Sequence, residues 1–237
     1  MGMGHFSSTG VDESTPDELI GPLNEFEKKY APQGMFFAGY PELLKEYPRV
    51  SIIGTRKPGE KGATITREIT SFLVKRKVVI VSGLAAGIDT IAHTTAIKED
   101  GRTIAVIGTP PDMYYPEQNR ELQEKIAKDH LLLSQFPPGS RISRRNFPMR
   151  NRTMALFSHA TVIIEAGRSS GTQHQGWEAL RLGRPLFIMD NIADDPHLDW
   201  PKKMMDYGAQ RLSPFSLDHL IEALPDPSAV MRDDFAL

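Results

Sequence analysis

A short run of arginines around one aromatic residue is the stretch of this sequence best suited to binding a ligand. Residues 144–152 read Arg-Arg-Asn-Phe-Pro-Met-Arg-Asn-Arg, and Arg141 lies three positions before them. Guanidinium groups pair with phosphates, asparagine amides bind phosphates or base edges, and a ring such as that of Phe147 stacks on unpaired bases. The alternative is that some of these arginines bridge to acidic neighbours and Phe147 packs in the core. Because so much like charge favours a counter-anion, the pattern predicts that nucleic acid binds here.

A second segment suited to phosphate follows the apolar run 50–53 and consists of Gly54, Thr55 and Arg56. A glycine at the end of a strand permits a sharp turn and close approach of the backbone to a ligand. The hydroxyl of Thr55 and the fork-shaped guanidinium of Arg56 are both able to bind phosphate oxygens. A solvated turn is the alternative interpretation.

A third segment, residues 165–172, reads Glu-Ala-Gly-Arg-Ser-Ser-Gly-Thr after the apolar run 161–164. Small residues and hydroxyls at the beginning of a helix leave free amide groups that face a ligand. Glu165 is expected to orient an arginine within 150–152, with a general base as the alternative.

The fourth segment, residues 82–89, reads Ser-Gly-Leu-Ala-Ala-Gly-Ile-Asp and differs from the Gly-x-Gly-x-x-Gly motif of dinucleotide-binding proteins. We therefore expect no dinucleotide cofactor. Asp89 is predicted either to cap the following helix or to accept hydrogen bonds that hold the loop. His93 is interpreted as a packed or surface residue, because no second catalytic group lies near it in the sequence.

The elements that must position these segments are six apolar or β-branched runs alternating with stretches of helical spacing. The predicted strands are 50–53, 78–81, 103–107, 131–133, 161–164 and 185–189, and the predicted helices are 62–76, 88–98, 119–128, 151–157 and 171–182. Continuous apolar strands between helices indicate an α/β fold, namely a Rossmann-like, doubly wound, mainly parallel sheet with helices on both faces. Such a sheet binds ligands beyond the carboxyl ends of its strands.

The division of the chain follows from where this alternation begins and ends. Residues 1–44 are predicted to be an N-terminal extension with a short helix over 16–29. Residues 45–224 are predicted to be the core domain, and residues 225–237 a loosely ordered tail.

Composition sets limits on the class of protein. Hydrophobic residues are 40% and charged residues 24% of the chain, as in ordinary globular proteins. No apolar run approaches the roughly 20 residues that span a bilayer, and no secretory signal is evident, so we expect no membrane association. The absence of cysteine excludes disulfides and fits a cytosolic location. His159, His174 and His197 are separated in the sequence, so no metal site is predicted.

Together, these segments resemble the DNA-processing protein A (DprA/Smf) family in residue type, order and spacing, over roughly residues 40–212. The matching blocks are Gly54-Thr-Arg56, Ser82-Gly-Leu-Ala-x-Gly-Ile-Asp89, Tyr115-Pro116 with Asn119, Asn146-Phe-Pro-x-Arg-Asn-Arg152, and Glu165-Ala-Gly with Ser170-Gly-Thr172. The resemblance implies a core that binds single-stranded DNA in a basic pocket, forms a homodimer, and hands the DNA to the RecA recombinase in transformation or repair. The pocket residues implied by the match are Gly54, Thr55, Arg56, Ser82, Gly83, Phe147, Arg150, Asn151, Arg152, Ser170, Gly171 and Thr172.

Two blocks depart from the family pattern. Residues 173–177 read Gln-His-Gln-Gly-Trp where the family has an alanine- and hydroxyl-rich helix. Residues 189–195 stand where the family usually has a Pro-Gly after the last core strand. The chain is also expected to lack the C-terminal winged-helix domain that many members carry.

A second interpretation is the LOG-type (lysine-decarboxylase-like) nucleotide hydrolases, which also have arginines before a helix and a Gly-x-Gly-Thr-x-x-Glu loop. In this chain Gln175 and its neighbours stand where the acid would be expected. We therefore predict a DNA-binding protein without catalytic residues or a cofactor. A protein that binds or processes nucleotides is the alternative.

Overall fold

The computed structural model describes residues 10–45, 48–168 and 171–226, and within them nine strands form one sheet. The strands are β1 (Asp12–Ser14), β2 (Met35–Gly39), β3 (Arg49–Ile53), β4 (Val79–Ser82), β5 (Thr103–Ile107), β6 (Leu131–Ser134), β7 (Ala160–Ile163), β8 (Leu186–Met189) and β9 (Gln210–Leu212). The helices are α1 (Pro16–Ile20), α2 (Glu25–Tyr30), α3 (Glu60–Val74), α4 (Ile88–Lys98), α5 (Arg120–Asp129), α6 (Asn146–Leu156), α7 (Gly171–Arg181), α8 (Asp190–Ala193), α9 (Trp200–Asp206) and α10 (Asp218–Glu222).

The order of the strands puts β3 beside β7 in the interior of the sheet. From edge to edge the order is β1-β2-β6-β5-β4-β3-β7-β8-β9. Neighbours from β6 to β9 are parallel, whereas the pairs β1–β2 and β2–β6 are antiparallel. The chain therefore winds in one direction from β3 to β6 and in the other from β7 to β9. In open α/β sheets, ligands bind in the crevice at such a reversal, beyond the carboxyl ends of the strands.

Alternate residues of the interior strands pack on opposite faces of the sheet. On β5, Ile104 and Val106 join the apolar cluster that contains Met154 of α6, while Ile107 joins the one that contains Ile126 of α5. Because helices cover both faces, β3 and β5 are buried along their whole lengths. The architecture confirms the predicted doubly wound, mainly parallel α/β fold.

The predicted elements agree with the structure most closely at the centre of the sheet. The predictions for α4 and β5 coincide with it residue for residue. The prediction that a helix starts near Asn151 is wrong, because α6 begins at Asn146. Pro148 then lies in the first turn, where its missing N–H has no intrahelical partner to lose.

The N-terminal segment differs from its prediction. The one helix expected over 16–29 is instead the pair α1 and α2, since Gly21 (φ +86°) ends the first and Asn24 caps the second. The strands β1 and β2 were not predicted, and they extend the sheet beyond β6. The predicted boundary between the N-terminal extension and the core domain at residue 45 stays a prediction. Most of the predicted tail, residues 227–237, lies outside the described residues. No helix in the described ranges is long and apolar enough to cross a membrane.

Candidate nucleic-acid interface

A cavity of about 500 Å³ opens at the carboxyl ends of β3 and β7. Eight of the predicted site residues line it: Gly54, Thr55, Arg56, Phe147, Arg150, Asn151, Gly171 and Thr172. Of the other four, Gly83 lines a smaller cavity that shares Arg56 and Phe147 with the first, and Ser82 is buried and donates its hydroxyl hydrogen to the Ile52 carbonyl. Arg152 is not among the lining residues, and Ser170 lies outside the described residues.

The loop after β3 is held against two other elements. The Thr55 N–H donates to the Glu165 carbonyl (2.7 Å) after β7, and the Thr55 carbonyl accepts from the Ile88 N–H (3.2 Å) at the start of α4. A side chain at Gly54 would not fit, because its Cβ would lie 2.5 Å from Cγ1 of Ile88. The loop is therefore fixed at the mouth of the cavity.

Phe147, on the first turn of α6, provides an aromatic wall. Its half-buried ring packs against the Tyr115 ring, with the centroids 5.4 Å apart, and against Gly108, where a Cβ would lie 2.8 Å from the ring. The Arg56 guanidinium carbon lies 6.0 Å from the centroid of the Phe147 ring, at the limit of a cation–π contact. A positive charge and an aromatic ring thus adjoin at the cavity.

Exposed cations flank this cavity, and we call Arg56, Lys57, Arg144 and Arg145 the basic rim. All four are exposed, and none forms an ion pair with the residues that the structure describes. Arg56 and Lys57 line the cavity, while Arg144 and Arg145 directly precede α6. Arg141 is exposed in the same segment. These guanidinium groups are thus available to phosphates.

Arg150 lines the cavity but, unlike Arg56, is buried. It is 7% exposed, and its Nη1 donates to the carbonyls of Gly83 (2.6 Å) and Val106 (2.9 Å), while Nε donates to Oδ1 of Asn151 (3.1 Å). Burial lowers the pKa of the guanidinium, and the charge of Asp89 opposes this effect. Arg150 therefore ties α6 to the ends of β4 and β5.

Asp89 holds the loop after β4. Its Oδ2 accepts from the N–H groups of Gly83 (3.2 Å) and Ala85 (3.3 Å), which confirms one of its two predicted roles. The other role, capping α4, is wrong, because the N-cap is Gly87. Burial raises the pKa of the Asp89 carboxyl, while the charge of Arg150 lowers it. His93 is packed as expected, and burial lowers its pKa to about 3.

Arg152 points to a different part of the molecule. Its Nε lies 3.0 Å from Oε2 of Glu178 on α7, and its guanidinium lies 5.1 Å from the centroid of the Tyr30 ring on α2. Arg56 and Arg150 therefore line the same cavity, whereas the guanidinium of Arg152 is engaged outside it. A side chain two positions after Arg150 on a helix projects in a different direction, and here it meets Glu178.

Glu165 does not orient Arg150 or Arg152, contrary to the prediction. Both of its carboxylate oxygens accept from the Gly59 N–H, at 3.3 Å. The carboxylate packs so closely on α3 that a Cβ at Gly62 would lie 1.8 Å from Oε2. Glu165 thus joins the end of β7 to the start of α3.

Gln175 was not predicted to be a site residue. In the sequence it was noted only because it stands where the nucleotide hydrolases have an acid. It is 1% exposed and lines the cavity from α7. The available signal was its position three residues after Thr172, which places both side chains on the same side of that helix.

The fold and this cavity define a class, namely a Rossmann-like protein whose topological switch point carries a basic and aromatic crevice. The family model described as DNA recombination-mediator protein A matches residues 12–225, and the chain belongs to this family.

Its relatives include proteins from several bacteria. The chain is 42% identical over 183 residues to protein Smf of Synechocystis, covering 76% of this chain and 46% of that protein. It is 34% identical over 207 residues to DNA processing protein DprA of Bacillus subtilis, covering 87% of this chain and 69% of the relative. The chain thus spans about half to two thirds of the length of such relatives.

Solved structures agree with this membership. DprA of Streptococcus pneumoniae has a TM-score of 0.75 at 32% identity, covering 90% of this chain and 74% of that one. DprA of Helicobacter pylori, described for its single-stranded DNA binding mode, has a TM-score of 0.73 at 25% identity and covers 94% and 97%. A molybdenum cofactor binding protein of Rippkaea orientalis, with a TM-score of 0.53 at 15% identity, shares the fold alone.

Proposed function

We propose that this chain binds single-stranded DNA at the cavity and acts in DNA uptake, recombination or protection. The observation that carries the proposal is the Arg56 guanidinium 6.0 Å from the Phe147 ring at the lining of an open cavity. Proteins that bind single strands combine cationic groups for the backbone with aromatic rings on which bases stack. Membership of the family and the single-stranded DNA binding mode described for the Helicobacter pylori protein support the proposal.

The geometry favours single strands over duplex. Phe147 is half-buried and its ring contacts Tyr115 and Gly108, so a base must leave its stack to reach it. An unpaired base does so without the cost of breaking a base pair. The test compares a single strand with a duplex of the same length and sequence across a salt series. Tighter binding of the single strand supports the proposal, and equal affinity for the two forms contradicts it.

Phe147→Ala is expected to weaken binding of single-stranded DNA by about 1–3 kcal/mol, because a stacking platform is lost. The dependence of affinity on salt should stay nearly unchanged, since no cation is removed. Phe215→Ala is the matched control, because Phe215 is 98% exposed between β9 and α10. Fluorescence anisotropy at several salt concentrations, with folding checked by circular dichroism, measures both quantities. A Phe147→Ala protein that binds like the control would remove the ring from the site.

We also propose that the chain hydrolyses no nucleotide. Gln175 occupies the position at which the LOG-type nucleotide hydrolases have a catalytic acid. Its buried amide cannot exchange a proton as a carboxyl group does. Incubation with AMP and chromatography of the products should show no free base above a heat-denatured control. Base release by the native protein alone would contradict this expectation.

The family resemblance further suggests a homodimer, a cytosolic location and transfer of the bound strand to RecA. Because the basic rim is exposed, a DNA strand bound there would stay accessible to a partner protein. Light scattering coupled to gel filtration tests the dimer, and a RecA filament-assembly assay with the bound strand tests the transfer.

A further inference from the structure

A second cavity, which we call the α9 cavity, lies between the segment after β7 and the beginning of α9. Its volume is about 410 Å³. Because β7 and β8 are parallel, the segments that follow them lie at the same edge of the sheet. Gly167 lines the first cavity and Arg168 lines the α9 cavity, so a ligand that extends across this segment reaches both. The charged and polar residues that line the α9 cavity are Arg168, Gln173, His197, Asp199 and Lys203.

Arg168 is held in place by hydrogen bonds within the chain. Its Nε donates to the His197 carbonyl (3.0 Å), and its own carbonyl accepts from Nε2 of Gln173 (2.7 Å). The His197 N–H in turn donates to Oδ1 of Asp195 (2.8 Å), which fixes the turn that presents the carbonyl. Within the described ranges, the two terminal nitrogens of the Arg168 guanidinium bond to no other group. A guanidinium that is oriented in this way loses little conformational entropy when it binds an anion.

Both blocks in which the sequence departs from the family pattern take part in this arrangement. Gln173 belongs to residues 173–177, and Asp195 belongs to residues 189–195. Their hydrogen bonds are those that position Arg168 and the His197 carbonyl. The two departures therefore meet at one place in the fold, beside the α9 cavity.

The charges of the α9 cavity suit a ligand with one negative charge. Arg168 and Lys203 are exposed, and neither forms an ion pair in the part of the chain that the structure describes. Asp199 adds one carboxylate, which leaves one positive charge in excess when His197 is neutral. Each phosphodiester of a DNA strand carries one negative charge, whereas a terminal phosphate carries about 1.5–2 at pH 7. A backbone phosphate therefore neutralises this cavity more closely than a terminal phosphate does.

We propose that Arg168 and Lys203 bind a backbone phosphate of the single strand, at a site separate from the first cavity. The proposal rests on the proposed function and extends the path of the strand from the basic rim across the segment between β7 and α7. Gln173 and Asp195 are positioning residues, since they act through Arg168 and His197. The binding site then has two parts, and only strands of sufficient length reach both.

Arg168→Ala combined with Lys203→Ala tests the proposal when affinity is measured for strands of about four to about fifteen nucleotides. Long strands should bind this double variant about fivefold more weakly at about 0.1 M salt, and the salt dependence should flatten by about 0.7, because one phosphate contact is lost. The shortest strands that bind should show no difference, since they occupy the first cavity alone. Fluorescence anisotropy measures the affinities, and circular dichroism checks folding.

Arg67→Ala combined with Lys202→Ala is the matched control, because it removes one arginine and one lysine that line neither cavity. Both residues are exposed, Arg67 on α3 and Lys202 beside Lys203 on α9. The control should bind like the wild type at every strand length. A folded Arg168→Ala/Lys203→Ala protein that behaves like the control overturns the proposal. An equal loss at every strand length overturns it as well, because the two cations would then belong to the first part of the site.

The wild-type measurements separate this proposal from the proposed function. Failure of the wild type to bind any strand overturns both. Binding of short and long strands that the double variant leaves unchanged overturns only the assignment of the α9 cavity.

Calorimetry with inorganic phosphate distinguishes a strand from a free anion as the ligand of the α9 cavity. A length-dependent loss of strand binding in the double variant, with no detectable binding of phosphate to the wild type, supports the assignment to DNA. Binding of phosphate that the double variant abolishes, without a length-dependent loss of strand binding, overturns it.

Discussion

Arg150→Met is expected to lower the free energy of unfolding by about 2–5 kcal/mol. The variant removes the donor to two buried carbonyls, those of Gly83 and Val106, and each unsatisfied group costs about 1–3 kcal/mol. The loop after β4 loses its tie to α6, so the cavity should also become less ordered. Urea unfolding followed by circular dichroism measures the change.

Arg152→Met is the matched control for this prediction. Its side chain is 38% exposed, and its bond to Glu178 is an ion pair near the surface. Such pairs contribute only about 0–1 kcal/mol. Equal losses in the two variants would show that the buried position of Arg150 does not carry the structural role assigned to it.

The triple change of Arg56, Arg144 and Arg145 to Ala is expected to flatten the salt dependence of single-stranded DNA binding by about two units. Each phosphate contact to a single strand contributes about 0.7 to that slope, because it releases a condensed counterion. Affinity at about 0.1 M salt should fall on the order of a hundredfold, with little change near 1 M. Anisotropy titrations of a labelled strand from low to high salt measure the slope.

A triple change of lysines on the side of the sheet where the parallel strands begin, opposite the cavity, provides the control. Lys75, Lys98 and Lys128 are exposed at the C-terminal ends of α3, α4 and α5, so their replacement by Ala removes the same charge far from the cavity. Its slope should stay close to that of the wild type. If the two triple variants behave alike, the DNA contacts are not concentrated at the basic rim.

The central sheet was predictable from the sequence because its signals are local. Runs such as Thr103–Ile107 are continuously apolar and bounded by turns, and such runs have few alternatives to a buried strand. The strand β1 carries no such signal, whereas β2 reads Met-Phe-Phe-Ala-Gly and was missed although it is apolar. The three residues of β1 are polar or small, and β2 belongs to the sheet because it meets β6, which is almost a hundred residues away.

The site was predictable as a location but not residue by residue. The glycines, Arg56 and Phe147 lie where a parallel sheet gathers its loops, so their spacing was sufficient. The burial of Arg150 depends on the carbonyls of Gly83 and Val106, and the engagement of Arg152 depends on how α6 packs on α7. Contacts of this kind exist only once distant segments have come together. The sequence therefore shows which residues are charged, but it does not show which partner each charged side chain meets.

Photocrosslinking of the full chain to a single strand that carries 5-bromouracil, followed by mass spectrometry of the peptides, identifies directly the residues that contact DNA. An aromatic ring that stacks on a base is a favoured site of such crosslinks. If DNA binds at this cavity, adducts should form on Phe147 and on its ring neighbour Tyr115, and they should be lost when an unlabelled strand competes. Adducts confined to other segments, with Phe147 and Tyr115 unmodified, would contradict the assignment of this cavity as the DNA site.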